Sequence, residues 1–182
     1  MRRLIIIDVS NFIFRAFFAI RPLHAPDGTP VNAVYGVLSM LHRLVQDMEP
    51  THVAVARDTK EESVRTEIYA DYKANRTAPP DDLVPQFALI EELLNRMHFP
   101  SMAMPGHEAD DIIGSVIRQY YNDFDEILIA SGDKDLMQFV DGKVKMLDTM
   151  KGVTYGPKEV EEKMGVPPHQ IVDYLSLSGD SS

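Results

Sequence analysis

At 182 residues, with 45% apolar and 25% charged residues, the chain has the makeup of one soluble globular domain or a large fragment of one. It contains no cysteine, which excludes disulfides and thiolate zinc sites and fits a reducing cytoplasm. The formal net charge of −10 argues by its total against a polyanionic partner, although acids gathered around a divalent cation would reverse the local sign.

The start, MRRLIIIDVS, has an apolar run that the charge at Asp8 ends too early for a signal peptide or a membrane span, so no membrane association is expected. LIIID (4–8) reads as a buried strand. TPVNAVYGVLSMLHRLVQDM (29–48) reads as a helix with Thr29 as its cap and Pro30 at its first position. HVAVARD (52–58) is a second strand, and a polar helix is expected to follow through Tyr72. PPDDLVPQFALIEELLNRMHF (79–99) opens on a proline turn and predicts a helix interrupted or kinked near Pro85. SMAM (101–104) is a weak strand, and EADDIIGSVIRQYYNDF (108–124) a helix with acids crowded at its start. EILIAS (126–131) predicts a strand and DLMQFV (135–140) a short helix. KVKMLD (143–148) and VTY (153–155) read as strands or a hairpin, and PKEVEEKMG and PHQIVDYLSLSG as helices. Short apolar runs alternating with longer amphipathic ones predict an α/β fold with a mostly parallel central sheet flanked by helices. The stop at Asp180-Ser181-Ser182, without a capping element, is expected of a truncated chain or of the limit of what is described.

The acids fall where the apolar strands end. The first strand ends in Asp8 and the second in Asp58; the weak third leads to Glu108, Asp110 and Asp111; EILIASGDKD runs into Asp133 and Asp135. In an open α/β sheet, sites form beyond the carboxyl ends of strands, so these carboxylates are expected to meet at one edge. A single such Asp is commonly a helix cap or turn residue, but four successive strand exits carrying acids are harder to dismiss. Glu108 and Asp111, three apart, would share a helix face. Carboxylates held close together call for a compensating cation, and hard oxygen donors without cysteine or paired histidines select Mg²⁺ or Mn²⁺. More acids than one ion can use suggest two ions. His107, beside the acids, is expected at the surface or in a supporting role. The chain has no GxGxxG, P-loop, GxSxG or HExxH pattern.

EIYADYKANR (67–76) sets Lys73 and Arg76 three apart beside Tyr72. Arg and Lys can hold phosphate oxygens and Tyr can stack on a base; Arg15, Arg65 and Lys134 could join the same patch. The bland alternative is a solvated helix face, and acids balance the bases along this stretch, so no basic stripe emerges.

DVSNFIFRAFFAI, RDTKEESVRTEIYADYKANR, GHEADDIIGSV, ASGDKDLMQFV and YGPKEVEEKMGVPPHQIVDYLSLSGDSS resemble, in order and over nearly the whole chain, successive blocks of the 5′-nuclease domain of bacterial DNA polymerase I and the related flap endonucleases and 5′–3′ exonucleases. The resemblance implies a two-metal carboxylate site that hydrolyses DNA near 5′ ends and flaps in replication and repair. By it, Asp8, Asp58, Glu108, Asp110 and Asp111 lie on the side of the first ion. Asp133 lies between the ions, and Asp135 and Asp180 on the side of the second. Lys73 and Arg76 match the basic pair at the scissile phosphate, and Tyr72 an aromatic position near the terminal bases. It also implies one domain over 1–182 with a helical arch at about 77–105 and an incomplete helix–hairpin–helix-type segment beginning near 167. A monomer is the expected state, and a following polymerase domain is left open. Arg57 departs from the family's usual Phe, and strand alternation is expected to point it away from Asp58. Glu61 and Glu62 replace Gly and Lys, and the family's GDSSDN run is cut after Ser182. Two rivals share parts of the pattern: a PIN-like RNase, and a receiver-like signalling module with Asp58 as phosphoacceptor. YKANR and the arch-length segment speak against the first. Against the second stand the chain's length and the lack of an acidic pair after the first strand.

Overall fold

The computed structural model describes residues 1–59, 61, 63–69, 72 and 77–179. Six strands hydrogen-bond in the order β3-β2-β1-β4-β5-β6: β1 (Arg3–Asp8), β2 (His52–Ala56), β3 (Ser101–Met102), β4 (Glu126–Ala130), β5 (Val144–Asp148) and β6 (Val153–Tyr155). β1 with β4, β4 with β5, and β2 with β3 are parallel, and the β5–β6 hairpin is antiparallel. Leu4 to Ile7 are all buried, as expected of a central parallel strand covered on both faces. The expected α/β class with a mostly parallel sheet is therefore what the chain adopts.

The chain divides into two compact units. The first comprises Met1–Ile7, Pro50–Val53 and Ile113–Ser182. It carries the β1-β4-β5-β6 strands, α6 (Pro157–Met164) and α7 (Ile171–Ser178). Arg3 and Glu126 stand opposite each other in the β1–β4 register, and Glu126 accepts from Arg3 Nε at 2.6 Å and Lys145 Nζ at 2.9 Å. Burial pushes the Glu126 carboxyl up, but these hydrogen bonds and the two positive charges outweigh it, leaving it below its ordinary value. A depressed carboxyl stabilises the fold above its unfolded pKa and loses that contribution as pH falls through the folded one. Glu126→Gln is expected to cost about 1 kcal/mol at neutral pH, with the difference from wild type shrinking as pH falls below the ordinary glutamate value and through the lowered one of Glu126; urea unfolding across the acid range checks it.

The second unit, Asp8–Glu49 and Ala54–Ile112, holds the helices α1 (Val9–Ala19), α2 (Asn32–Met48), α3 (Val64–Ile68) and α4 (Val84–Arg96). α1 begins directly after β1, a helix the periodicity did not show because VSNFIFRAFFA is apolar around most of its circumference. α1 and α2 pack closely at Gly36, where a Cβ would stand 2.6 Å from Ala16 Cβ and 2.7 Å from Ile20 Cδ1.

α2 starts later than expected, with Val31 as N-cap and no side-chain cap of its own. Thr29 instead closes a turn, donating its N–H to Asp27 Oδ1, and Pro30 bridges to His24. The missing cap comes from α4: Gln86 Oε1 accepts from the Ala33 and Val34 N–H groups at 2.7 and 3.2 Å. Pro85 does not kink α4 but lies in its first turn, where the absent N–H costs nothing. The polar helix expected through Tyr72 shortens to the five residues of α3, and Tyr72 sits in a turn outside it. Within 77–105, the expected arch region, α4 buries Ile90 and Leu94 and β3 pairs with β2.

Candidate metal and nucleic-acid site

The carboxylates of Asp8, Asp58, Asp111 and Asp133 each accept from a backbone N–H at the start of a helical segment, where N–H groups lack intrahelical partners and positive potential gathers. Asp8 is the N-cap of α1, its Oδ1 accepting from Asn11 N–H at 3.1 Å, and its side chain is buried. Asp58 joins three segments: its Oδ1 accepts from Ala109 N–H at 2.9 Å, and its Oδ2 from the Ser10 hydroxyl at 2.6 Å. Ala109 is the first residue of α5 (Ala109–Tyr120), so Asp58 serves as a cap from a different part of the chain. Ser10 was not singled out in the sequence; its place two residues after Asp8 is the only local signal, and its partner lies 48 residues away.

Glu108 and Asp111 were expected to share a helix face. They meet differently, because Glu108 precedes the helix. Asp111 Oδ2 accepts from Glu108 N–H at 3.0 Å, folding the side chain back over the helix start. Arg65, from α3, grips Asp111 with both arms of its fork, Nη1 to Oδ2 at 2.8 Å and Nη2 to Oδ1 at 2.7 Å. The same Nη1 is 3.7 Å from Glu108 Oε2, which also accepts from Tyr72 Oη at 3.1 Å. The Arg65 hydrogen bonds hold the Asp111 carboxyl below the usual carboxylate range against the opposing effect of burial, and the Glu108 N–H adds to the shift. The pairing raises the guanidinium further above its ordinary value.

In the first unit, Asp133 caps a 3-10 turn over Lys134–Phe139, its Oδ1 accepting from Asp135 N–H at 3.0 Å, while its own N–H donates to Ser131 Oγ. Lys134 and Asp135 begin that turn. Asp110 lies in the first turn of α5 and Arg15 on α1. His107 is half-buried and its Nδ1 faces the Pro105 carbonyl. Arg57, which like Asp58 lies beyond the last residue of β2, turns to Glu91 of α4, Nη1 to Oε1 at 2.8 Å. Lys73, Arg76 and Asp180 lie outside the described residues. Among the described residues, no three histidine, aspartate or glutamate side chains are arranged to hold a metal ion. Asp58, Glu108 and Asp111 instead turn to backbone, serine, tyrosine and Arg65 donors. No helix of the described residues is long and apolar enough to cross a membrane.

Fold and acids together define a class: a mostly parallel α/β domain that sets carboxylates from separated segments at the start of one helix. The chain belongs to the 5′-3′ exonuclease family, whose N-terminal resolvase-like domain matches residues 3–165. It is 44% identical over 186 residues to the DNA polymerase I of Rhizobium leguminosarum, covering 98% of this chain and 18% of that protein. It is 39% identical over 180 residues to a 5′-3′ exonuclease of Aquifex aeolicus (strain VF5), covering 99% of this chain and 62% of that protein. The chain thus spans between 18% and 62% of the length of these relatives. The bacteriophage T5 flap endonuclease, solved with DNA and metal ions, shares the fold with a TM-score of 0.78 at 21% identity, over 98% of this chain and 67% of that one.

Proposed function

We propose that this chain is the nuclease part of a divalent-metal-dependent 5′–3′ exonuclease or flap endonuclease that hydrolyses DNA phosphodiesters near 5′ ends and flaps in replication and repair. The observation that carries the reading, beside family membership, is the gathering of Asp58, Glu108 and Asp111 around the first residues of α5. The donor set fits a hard divalent cation: every candidate ligand is a carboxylate, and a guanidinium is already accepted between Asp111 and Glu108. Asp8, Asp58, Glu108, Asp110 and Asp111 would hold one Mg²⁺ or Mn²⁺. Asp133, Asp135 and Asp180 would serve a second. When bound, such ions supply Lewis acidity that makes hydroxide available near neutral pH and offsets charge on the phosphate.

The chain's own side chains orient the substrate. Lys73 and Arg76, by their match to the family's basic pair, would offset the charge that grows on the scissile phosphate as a water oxygen joins phosphorus and the bond to the 3′ oxygen breaks. Tyr72 stacks near the terminal bases, and Arg15, Arg65 and Lys134 meet backbone phosphates. A polymerase segment beyond this chain, a cytoplasmic location and a monomeric state complete the reading.

The test is cleavage of a labelled 5′-flap DNA beside single-stranded RNA, with Mg²⁺ and with chelator. Mg²⁺-dependent flap cutting that disappears in Asp133→Ala is the expected result. Full activity in that variant would remove Asp133 from the site, and cleavage confined to RNA would assign the chain to a different nuclease class.

A further inference from the structure

Arg65 reaches from α3 to the two acids at the start of α5. Ser63 caps α3, its Oγ accepting from Arg65 N–H at 3.3 Å, and Val64 N–H donates to the Gly106 carbonyl at 2.9 Å. The arginine is thereby tied to the loop that leads into α5. Its fork engages both Asp111 oxygens, and one of these, Oδ2, also takes the Glu108 N–H. A carboxylate offers about four lone-pair sites, and three of those of Asp111 already face donors. The pair is partly sheltered, with side chains 38% and 28% exposed, and Glu108 beside it is 14% exposed. Repulsion between the two acids is met by a positive charge that belongs to the protein.

We propose that Arg65 is an internal counter-ion that competes with a divalent cation for Asp111 and Glu108, and that ion binding releases its guanidinium to a phosphate of the nucleic acid. The inference rests on the metal-dependent reading above. Both halves follow from the same chemistry. A guanidinium fork matches carboxylate and phosphate oxygens alike, so a charge displaced from one is pre-shaped for the other. Without the ion, the arginine keeps the acids from repelling one another. With the ion, its positive charge is repelled from the acids toward the polyanion.

Titration of Mn²⁺ into the metal-free protein by calorimetry, without DNA, measures the competition directly. Arg65→Gln is expected to bind the first ion about fivefold tighter, the worth of a charge-assisted pair discounted for partial exposure. Arg65→Lys, keeping the charge but losing the fork, is expected to fall between. The metal-free Arg65→Gln protein should melt at a lower temperature and gain more from Mn²⁺ than wild type. Equal or weaker Mn²⁺ binding by Arg65→Gln would overturn the proposal, since Arg65 would then be organising the acids for the ion. Folded protein that binds no Mn²⁺ in any of the three forms would sink the metal reading itself. For the second half, the salt dependence of 5′-flap DNA binding in Ca²⁺ should lose about one phosphate contact in Arg65→Gln, with no such change in chelator. An unchanged slope in Ca²⁺ would overturn the transfer to phosphate.

Discussion

Asp58→Asn is expected to lower Mg²⁺-dependent cleavage of a 5′-flap substrate by about a hundredfold or more, with the melting temperature close to that of wild type. The two expectations separate because the substitution keeps shape and removes charge. Asn Oδ1 can still accept from Ala109 N–H, and its Nδ2 can donate to Ser10 once the hydroxyl rotates. The cap on α5 survives, while one hard anionic donor is lost from the acids proposed to hold the ion. Asp58→Ala provides the contrast: it orphans the Ala109 N–H as well, and is expected to lose about 1 kcal/mol of stability besides activity. Single-turnover cleavage across a range of Mg²⁺ concentrations, with thermal melts of the same preparations, checks both. Wild-type rates in Asp58→Asn at saturating Mg²⁺ would show that this carboxylate caps a helix and does nothing more.

The largest stability effect is expected away from the acids, at Gln86. Its side chain is wholly buried between α4 and α2. Oε1 takes two N–H groups at the start of α2, and Nε2 donates to Asn32 Oδ1 at 2.8 Å and the Asp82 carbonyl at 2.9 Å. Asn32, itself buried, passes the connection on to the Phe17 and Ile20 carbonyls at the end of α1. The two amides together thus satisfy donors and acceptors from three segments. Gln86→Leu fills nearly the same volume with no polar atom and leaves all four partners unmet, the Ala33 N–H and Asn32 Oδ1 in buried surroundings and the Val34 N–H and Asp82 carbonyl in partly buried ones. Each such group costs about 1–3 kcal/mol, and some relaxation will recover part, so about 3–4 kcal/mol is expected. For a chain of this size that is roughly a 10 °C fall in melting temperature. Denaturant unfolding with an unchanged m-value measures it, and a loss under about 1 kcal/mol would mean that water replaces the amide.

Strands were legible where apolar runs are short and bounded, as in LIIID and EILIA, because a buried parallel strand needs nothing beyond its own residues to announce itself. Helix starts were legible only in part: Pro157 opens α6 as expected, but other starts depend on distant residues. Thr29-Pro30 is a sound local start signal, yet the chain turns there, and α2 is capped by an amide 53 residues away. The same holds at α5, where Asp58, 51 residues upstream of Ala109, supplies an acceptor. An unsatisfied N–H accepts any oxygen that reaches it, so local capping rules describe what is needed and leave open which residue supplies it.

The order of residues by itself determined the α/β class, the buried strands, the chemistry of the donor set and the presence of acids at successive strand exits. Those properties depend on side-chain type and short-range periodicity. Only the tertiary structure decided that Asp58 joins Ser10 to the start of α5, that Glu108 and Asp111 meet across a helix start and not along a face, and that Arg65 lies between them. Apart from Glu108 and Asp111, three residues apart, these pairings span tens of residues, and their energies depend on separation in space, which spacing along the chain does not encode.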